Sequence, residues 1–449
     1  MRVKGPKVVL IGAGSMFFGR QFVWAMAHSE ALSKGTMALV DIDPKKLDTM
    51  MKAGRMVIES VNSPVKLEGS TNYLDVIRGA DFVVLSFSNE GVQYRGVDCR
   101  IAEKYGIRMC SGDTIGPGGI FKAMRELPVI LKIAKDIEKI CPDAWVINYI
   151  NPTAVNGLGL LRHSKVKSFA LCDSLRLPHL KNQYLSLLSR EEWDISKLDL
   201  KIAGVNHFTW LLSATYEGKN IEGLLRQKLL ELAATETDQE TSKRKYNCNY
   251  SAILWELFGY YPACTAHTKE YLPFWQGKGR LEDKPAPLSV FDAEERAGQQ
   301  AGMWHEMDEY ITGKKKIEEF NAKYSTDLVT DIIETMWADT KQPFYVNCPN
   351  NGAVSNLPSD AFLELLCDIN MNGPVPRPVG NFPVGLRGLQ MQVMDTHELT
   401  VEAIVGHDRA LLRRAFMTDP IVNSISDADA IISELFIEEK DALPAAWYR

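Results

Sequence analysis

The sequence predicts an α/β protein with a Rossmann-type, doubly wound parallel sheet followed by a second α/β domain. Two observations carry this reading. Short β-branched apolar runs alternate with helical stretches through the first part of the chain, the pattern of a parallel sheet covered on both faces. A polar cluster follows most of these runs, where sheets of this class bind their ligands.

The first run, Lys7 to Ile11, ends in Gly12-Ala13-Gly14-Ser15, and Met16 to Ala27 has helical spacing. Met37 to Val40 is a second strand, closed by Asp41-Ile42-Asp43-Pro44, and a helix rich in lysine and methionine follows. Asp81 to Phe87, Ala144 to Tyr149 (closed by Asn151-Pro152) and Ser168 to Cys172 complete the predicted set. From about Lys201 the pattern loosens into helices and loops rich in aromatics and proline, such as Tyr260 to Trp275. With no internal repeat or low-complexity linker, the organisation reads as two domains, residues 1–200 and 201–449, with the boundary near 195–205.

The 449 residues are 45% hydrophobic and 24% charged, an ordinary globular composition with length for a large core. The net charge is -6 and the cations are scattered, which argues against a nucleic-acid partner. No apolar run is long enough to span a membrane. The eight cysteines form no CxxC pair, and no secretory signal precedes the first strand. They read as reduced thiols of a cytoplasmic protein.

Gly12 and Gly14 allow a tight turn against a pyrophosphate, with Ser15 and Met16 opening the helix behind it. The third fingerprint position is Phe17, and Gly19 follows shortly. Asp41 ends the next strand, where a carboxylate accepts both ribose hydroxyls and repels a 2′-phosphate. The expected cofactor is therefore NAD, not NADP.

Further along stand Gly112-Asp113-Thr114-Ile115-Gly116-Pro117-Gly118-Gly119-Ile120, Asn148 to Ala154, Cys172-Asp173-Ser174 and Gly204-Val205-Asn206-His207-Phe208-Thr209-Trp210. Asn347-Cys348-Pro349-Asn350-Asn351-Gly352, Asn356-Leu357-Pro358 and the tail Leu443 to Arg449 extend the series. In this order, behind an NAD-type turn, the motifs resemble those of glycoside hydrolase family 4. The nearest branch is that of the α-galactosidases and α-galacturonidases, and a related family of NAD-dependent sulfoquinovosidases is similar too.

The resemblance implies a lactate/malate dehydrogenase-like architecture and a glycosidase that oxidises the sugar transiently at C3. Elimination of the aglycone, addition of water and return of the hydride leave no net redox change. It implies NAD, a divalent metal (manganese) held by Cys172 and His207, and a homo-oligomer, dimer or tetramer. It places Asn151 and Asp113 against the sugar.

Two departures from the family pattern stand out. Asp173 follows the cysteine where the nearest branch has histidine. An aspartate there resembles the 6-phospho-α-glucosidase branch, in which it is the proposed general acid, and this resemblance makes Asp173 the candidate acid here. Ala266 stands before His267 where that branch has its carboxylate base. Tyr261, His267, Lys269 and Glu270 are close in sequence, and His267 or Lys269 is favoured as the base. Arg95, Arg176, His267 and Lys269 further suggest an anionic sugar such as a sulfoquinovoside or galacturonide, with a galactoside or glucoside also open. The competing classes are an NAD-dependent sugar or 2-hydroxy-acid dehydrogenase with net redox turnover, and a non-catalytic dinucleotide-binding protein.

Overall fold

The computed structural model describes residues 4–89, 91–235, 248–276 and 288–449. Its strands are β1 (Lys7–Ile11), β2 (Thr36–Val40), β3 (Lys66–Ser70), β4 (Phe82–Leu85), β5 (Trp145–Asn148), β6 (Lys167–Ala170) and β7 (Leu198–Val205). They continue with β8 (Phe208–Tyr216), β9 (Lys219–Asn220), β10 (Tyr261–Pro262), β11 (Pro343–Pro349), β12 (Phe362–Asn370) and β13 (Gly373–Pro376). All belong to one sheet with the order β10-β8-β7-β12-β11-β6-β5-β4-β1-β2-β3, with β13 beside β12 and β9 beside β8.

From β3 to β6 every pairing is parallel, and the strand order reverses its progression between β1 and β4. This is the doubly wound arrangement expected, with its ligand crevice outside the carboxyl ends of the strands at the switch. Beyond β6 the pairings are antiparallel, and the two regions meet through Asn347 opposite Ala170. The chain passes from one region to the other between β6 and β7. Its C-terminal helices then return: Val384–Gly406 packs on Thr153–His163, and Ile425–Glu438 on Gly91–Lys104. The fully buried Arg125 joins these parts through Asp98 (2.8 Å) and Glu439. Phe121 meets Phe416 and Phe436 edge-on across the same seam, and burying one such ring stabilises the fold by roughly 1.5–3 kcal/mol.

Two details depart from the sequence reading. The edge strand β3 (KLEGS) was not anticipated, because an edge strand with one wet face needs no continuous apolar run. The first helix spans Gly19–His28, three residues later than the spacing suggested. Residues 15–18 make turns instead, with the Ser15 carbonyl accepting from Phe18 and Gly19. A Cβ on Gly19 would stand 2.3 Å from the Ala13 carbonyl oxygen. Gly19 thus provides the close helix–strand approach usually supplied by the third fingerprint glycine.

Candidate active site

A cleft of about 1200 Å3 opens at the carboxyl ends of β1, β2, β4 and β5. The glycine-rich turn forms its floor. Gly12 has φ +94°, and a Cβ there would meet the backbone of Ser86 and Phe87 at 2.5–2.6 Å. Only glycine lets this turn lie against β4 and leave the space above it for a ligand. Gly14 donates to Asp41 Oδ2 (2.7 Å), while Asp41 Oδ1 accepts from Asp43 N (3.0 Å). Gly12, Gly14, Ser15, Met16 and Asp41 all line the cleft, so the predicted dinucleotide residues are brought together.

The next part of the wall comes from the helix Gly91–Lys104, the connection that follows it and the loop after β5. Arg95 pairs with Asp113 Oδ2 at 3.1 Å, and Asn151 Nδ2 donates to the same oxygen at 3.3 Å. These three predicted substrate residues therefore form one polar cluster. Asp173 also lines the cleft, and the Tyr149 hydroxyl donates to its Oδ1 at 2.6 Å. Burial and the Asp173 charge push the Tyr149 phenol well above its ordinary pKa, so it stays a donor. Its ring packs on Phe18 of the first turn, with centroids 4.3 Å apart.

Cys172 ends the loop after β6, and His207 sits at the turn between β7 and β8 with φ +63°. Thirty-five residues apart, they meet at 3.0 Å, Sγ to Nε2. Burial and Glu364 push the Cys172 thiol up to about 12. Burial alone would lower His207, but the Cys264 thiol and the Glu364 charge outweigh it and bring it to about 9. Glu364, fully buried on β12, accepts from the His207 backbone N–H and the Ser174 hydroxyl, both at 3.4 Å. Burial raises its carboxyl to about 7. Convergent sulfur and imidazole donors suit a borderline divalent cation with coordination positions left for substrate oxygens. Among the described residues no group of three or more His, Cys, Asp or Glu side chains gathers as a closed metal cage.

The segment 264–271 packs against His207 and the loop of Ser111 and Gly112. The His267 ring stands edge-on to His207, with centroids 4.2 Å apart, and its Nδ1 lies 3.7 Å from Glu270. Burial and the neighbouring His207 hold the His267 imidazole below its ordinary pKa. Glu270 is fully buried, and accepts from Ser111 Oγ (2.6 Å), Ser111 N (2.8 Å) and Gly112 N (3.1 Å). Burial would raise its carboxyl, yet His267 and these hydrogen bonds pull it down to about 2.

The remaining candidates divide. The Lys269 ammonium lies over the Tyr250 ring at 4.9 Å. Tyr261 belongs to a separate apolar cluster with Tyr184 and Trp255. Arg176 turns away from the cleft to Thr326 and Asp331.

Sequence reasoning did not single out Arg296. It lies on the helix Ala293–Ile311, lines the cleft with Gln300 and Trp304, and covers the Phe17 ring at 5.0 Å. The other cations lining the cleft each have an acidic partner: Lys46 with Asp43, Arg95 with Asp113, Lys122 with Glu126 and Lys132 with Asp136. Among the described residues Arg296 makes no such pair. Burial and nearby Arg95 lower its pKa from the usual arginine value.

With this geometry in place, comparisons with known proteins identify the family. Residues 7–177 match the family 4 glycosyl hydrolase model and residues 202–422 match its C-terminal domain. An alpha-galactosidase of Bacillus subtilis is 30% identical over 98% of this chain and 99% of its own. An alpha-galacturonidase of Thermoanaerobacter italicus is 26% identical over 98% of each. A 6-phospho-alpha-glucosidase from gut microorganisms, solved with NAD and Mn2+, superposes with a TM-score of 0.81. It is 20% identical, and the match covers 98% of this chain and 99% of that one. The family match and the end-to-end relationship to the Bacillus enzyme settle the classification: the chain belongs to family 4 of the glycosyl hydrolases.

Proposed function

We propose that this chain hydrolyses an α-glycoside of an acidic sugar through transient oxidation of the ring, with NAD and a divalent cation, manganese, as cofactors. The carrying observation is the meeting of Cys172 Sγ and His207 Nε2 at 3.0 Å, next in the chain to Asp173 on the wall of the dinucleotide cleft. Gly12, Gly14 and Asp41 would hold NAD, which would supply a reversible hydride acceptor for the sugar C3, and Cys172 and His207 would hold the cation, which would supply Lewis-acid polarisation of sugar oxygens.

The chain's own groups have distinct tasks. Asp113 and Asn151 hold sugar hydroxyls, with Arg95 fixing the Asp113 carboxylate. His267 takes the C2 proton that the ketone at C3 makes acidic. It is half-buried and its ring adjoins His207, whereas Lys269 is buried and its ammonium lies over Tyr250. Asp173, held through Oδ1 by Tyr149, gives a proton to the leaving oxygen from its other oxygen. Arg176 has no part in this scheme.

Arg296 favours an acidic sugar. A guanidinium lining a cleft, with no ion-paired carboxylate among the described residues, provides a charge-assisted site for a carboxylate, phosphate or sulfonate. The similarity to an alpha-galacturonidase and to a 6-phospho-alpha-glucosidase agrees with this. Residues 1–200 then carry the cofactor and 201–449 complete the substrate side. A cytoplasmic setting fits eight cysteines that are all free thiols. A homo-oligomer is part of the same reading.

The test is a panel of nitrophenyl α-glycosides in the presence of NAD and Mn2+: glucoside, galactoside, galacturonide, glucoside 6-phosphate and sulfoquinovoside. The highest kcat/KM on one of the three acidic sugars supports the reading. Faster turnover of a neutral glycoside than of every acidic one overturns the acidic-sugar assignment.

A further inference from the structure

The His207 imidazole has sulfur on both of its nitrogens. Cys172 Sγ lies 3.0 Å from Nε2, and Cys264 Sγ lies 3.7 Å from Nδ1. The first contact belongs to the proposed cation site. The second has no place in it, and Cys264 falls in none of the motifs that mark the family. It is 4% exposed and follows the edge strand β10.

An imidazole that binds a cation through one nitrogen carries its hydrogen on the other. The group accepting that hydrogen selects the tautomer, fixes the ring plane and raises the basicity of the liganding nitrogen. Carboxylates, backbone carbonyls and water are the usual acceptors. Here the group beside Nδ1 is a thiol. The contact is also braced, because the Thr268 hydroxyl reaches both the His207 carbonyl oxygen (3.1 Å) and the Cys264 carbonyl oxygen (3.0 Å). One hydroxyl thus ties the two residues' backbones together. His207 has a left-handed backbone, φ +63°, uncommon for a residue with a Cβ, and the Thr268 contacts help to hold it.

The geometry points to Cys264 as the positioning residue for His207. Its sulfur accepts the Nδ1 hydrogen and leaves Nε2 as the lone-pair nitrogen on the side of Cys172. This rests on the reading of Cys172 and His207 as the cation's protein ligands. A residue that only filled space would be replaced equally well by any side chain of its size. A residue that accepts a hydrogen bond is replaced only by another acceptor.

The experiment measures Mn2+ affinity, from the electron paramagnetic resonance signal of free Mn2+ in titrations with NAD present, for the wild type, C264S, C264V and C172A. NAD affinity and thermal unfolding are followed in parallel. C264V is expected to weaken Mn2+ binding about 10–100-fold with NAD affinity unchanged, while C264S stays close to wild type. C264A replaces C264V should the valine variant not fold. Wild-type Mn2+ affinity in a folded C264V or C264A overturns the inference, as does an equal loss in C264S and C264V. C172A separates the two levels of the argument: it abolishes Mn2+ binding if the ligand reading is right. If C172A binds Mn2+ like wild type, the ligand reading itself fails, and the role of Cys264 falls with it.

Discussion

Glu270 Oε2 accepts the Ser111 hydroxyl at 2.6 Å, across 159 residues of sequence, and its Oε1 takes the backbone N–H of Ser111 and Gly112. The turn that presents His267 and the loop that presents Asp113 are therefore one unit. Glu270→Ala leaves two buried backbone donors without an acceptor, at about 1–3 kcal/mol each. Chemical denaturation should show that loss, and kcat/KM should fall by far more than in Glu270→Gln. Because this carboxyl is held near 2, below its unfolded value of 4.5, its contribution is complete above pH 4.5 and is lost as the pH falls toward 2. Wild-type stability in the alanine variant would contradict the role given to Glu270.

Arg296 sets the preference for charge. Arg296→Met keeps the apolar stem over Phe17 and removes the guanidinium. The ratio of kcat/KM for the best acidic glycoside to its neutral counterpart should drop about 10–100-fold, the worth of a charge-assisted hydrogen bond. A drop of equal size on both substrates would assign Arg296 to the cofactor instead.

In the proposed reading, Asp41 is the carboxylate that discriminates NAD from NADP. Asp41→Ala removes the acceptor for Gly14 N and the charge that opposes a 2′-phosphate. NAD should bind about tenfold more weakly while NADP binding improves or holds steady. Fluorescence titration of both nucleotides measures this, and parallel losses would argue against a ribose contact.

Asp419 gives the fold a pH dependence away from the site. It is buried, accepts from Gly116 N (2.9 Å) and Ile421 N (3.0 Å), and its carboxyl is pushed up to about 7 by burial. A folded value above the unfolded 3.8 means stability that is fully present below pH 3.8 and lost as pH rises through about 7. Asp419→Asn gives up one hydrogen bond at every pH but cannot ionise. The Tm of the variant should therefore fall less between pH 5 and pH 8 than that of the wild type. Parallel curves would remove Asp419 as the source.

Much of this was legible in the sequence, because backbone chemistry writes itself into residue type. Gly12 and Gly14 are needed by a turn that lies against β4, and Asp41 by the end of β2. Cys172 and His207 stood out only through the motifs around them, as a lone cysteine and a lone histidine say little. The rest depended on long-range packing. Arg296 follows Glu294 and Glu295 on an exposed-looking helix and reads as part of a solvated face. Only the folding of that helix over Phe17 brings it to the cleft. Cys264 and Arg176 show the same limit in opposite directions: one gains a partner 57 residues away, the other turns from the cleft to Asp331. Glu364 left a trace, being the single charge within the apolar run Phe362 to Cys367.

In the proposed reaction the oxidation is internal to the catalytic cycle. Its most direct test uses enzyme stripped of nucleotide and metal, resupplied with Mn2+ and the best nitrophenyl glycoside, with and without NAD. The account predicts nitrophenol release only with NAD, through many turnovers, with no accumulation of NADH. Release that is indifferent to NAD, or NADH that builds up mole for mole with product, would contradict it.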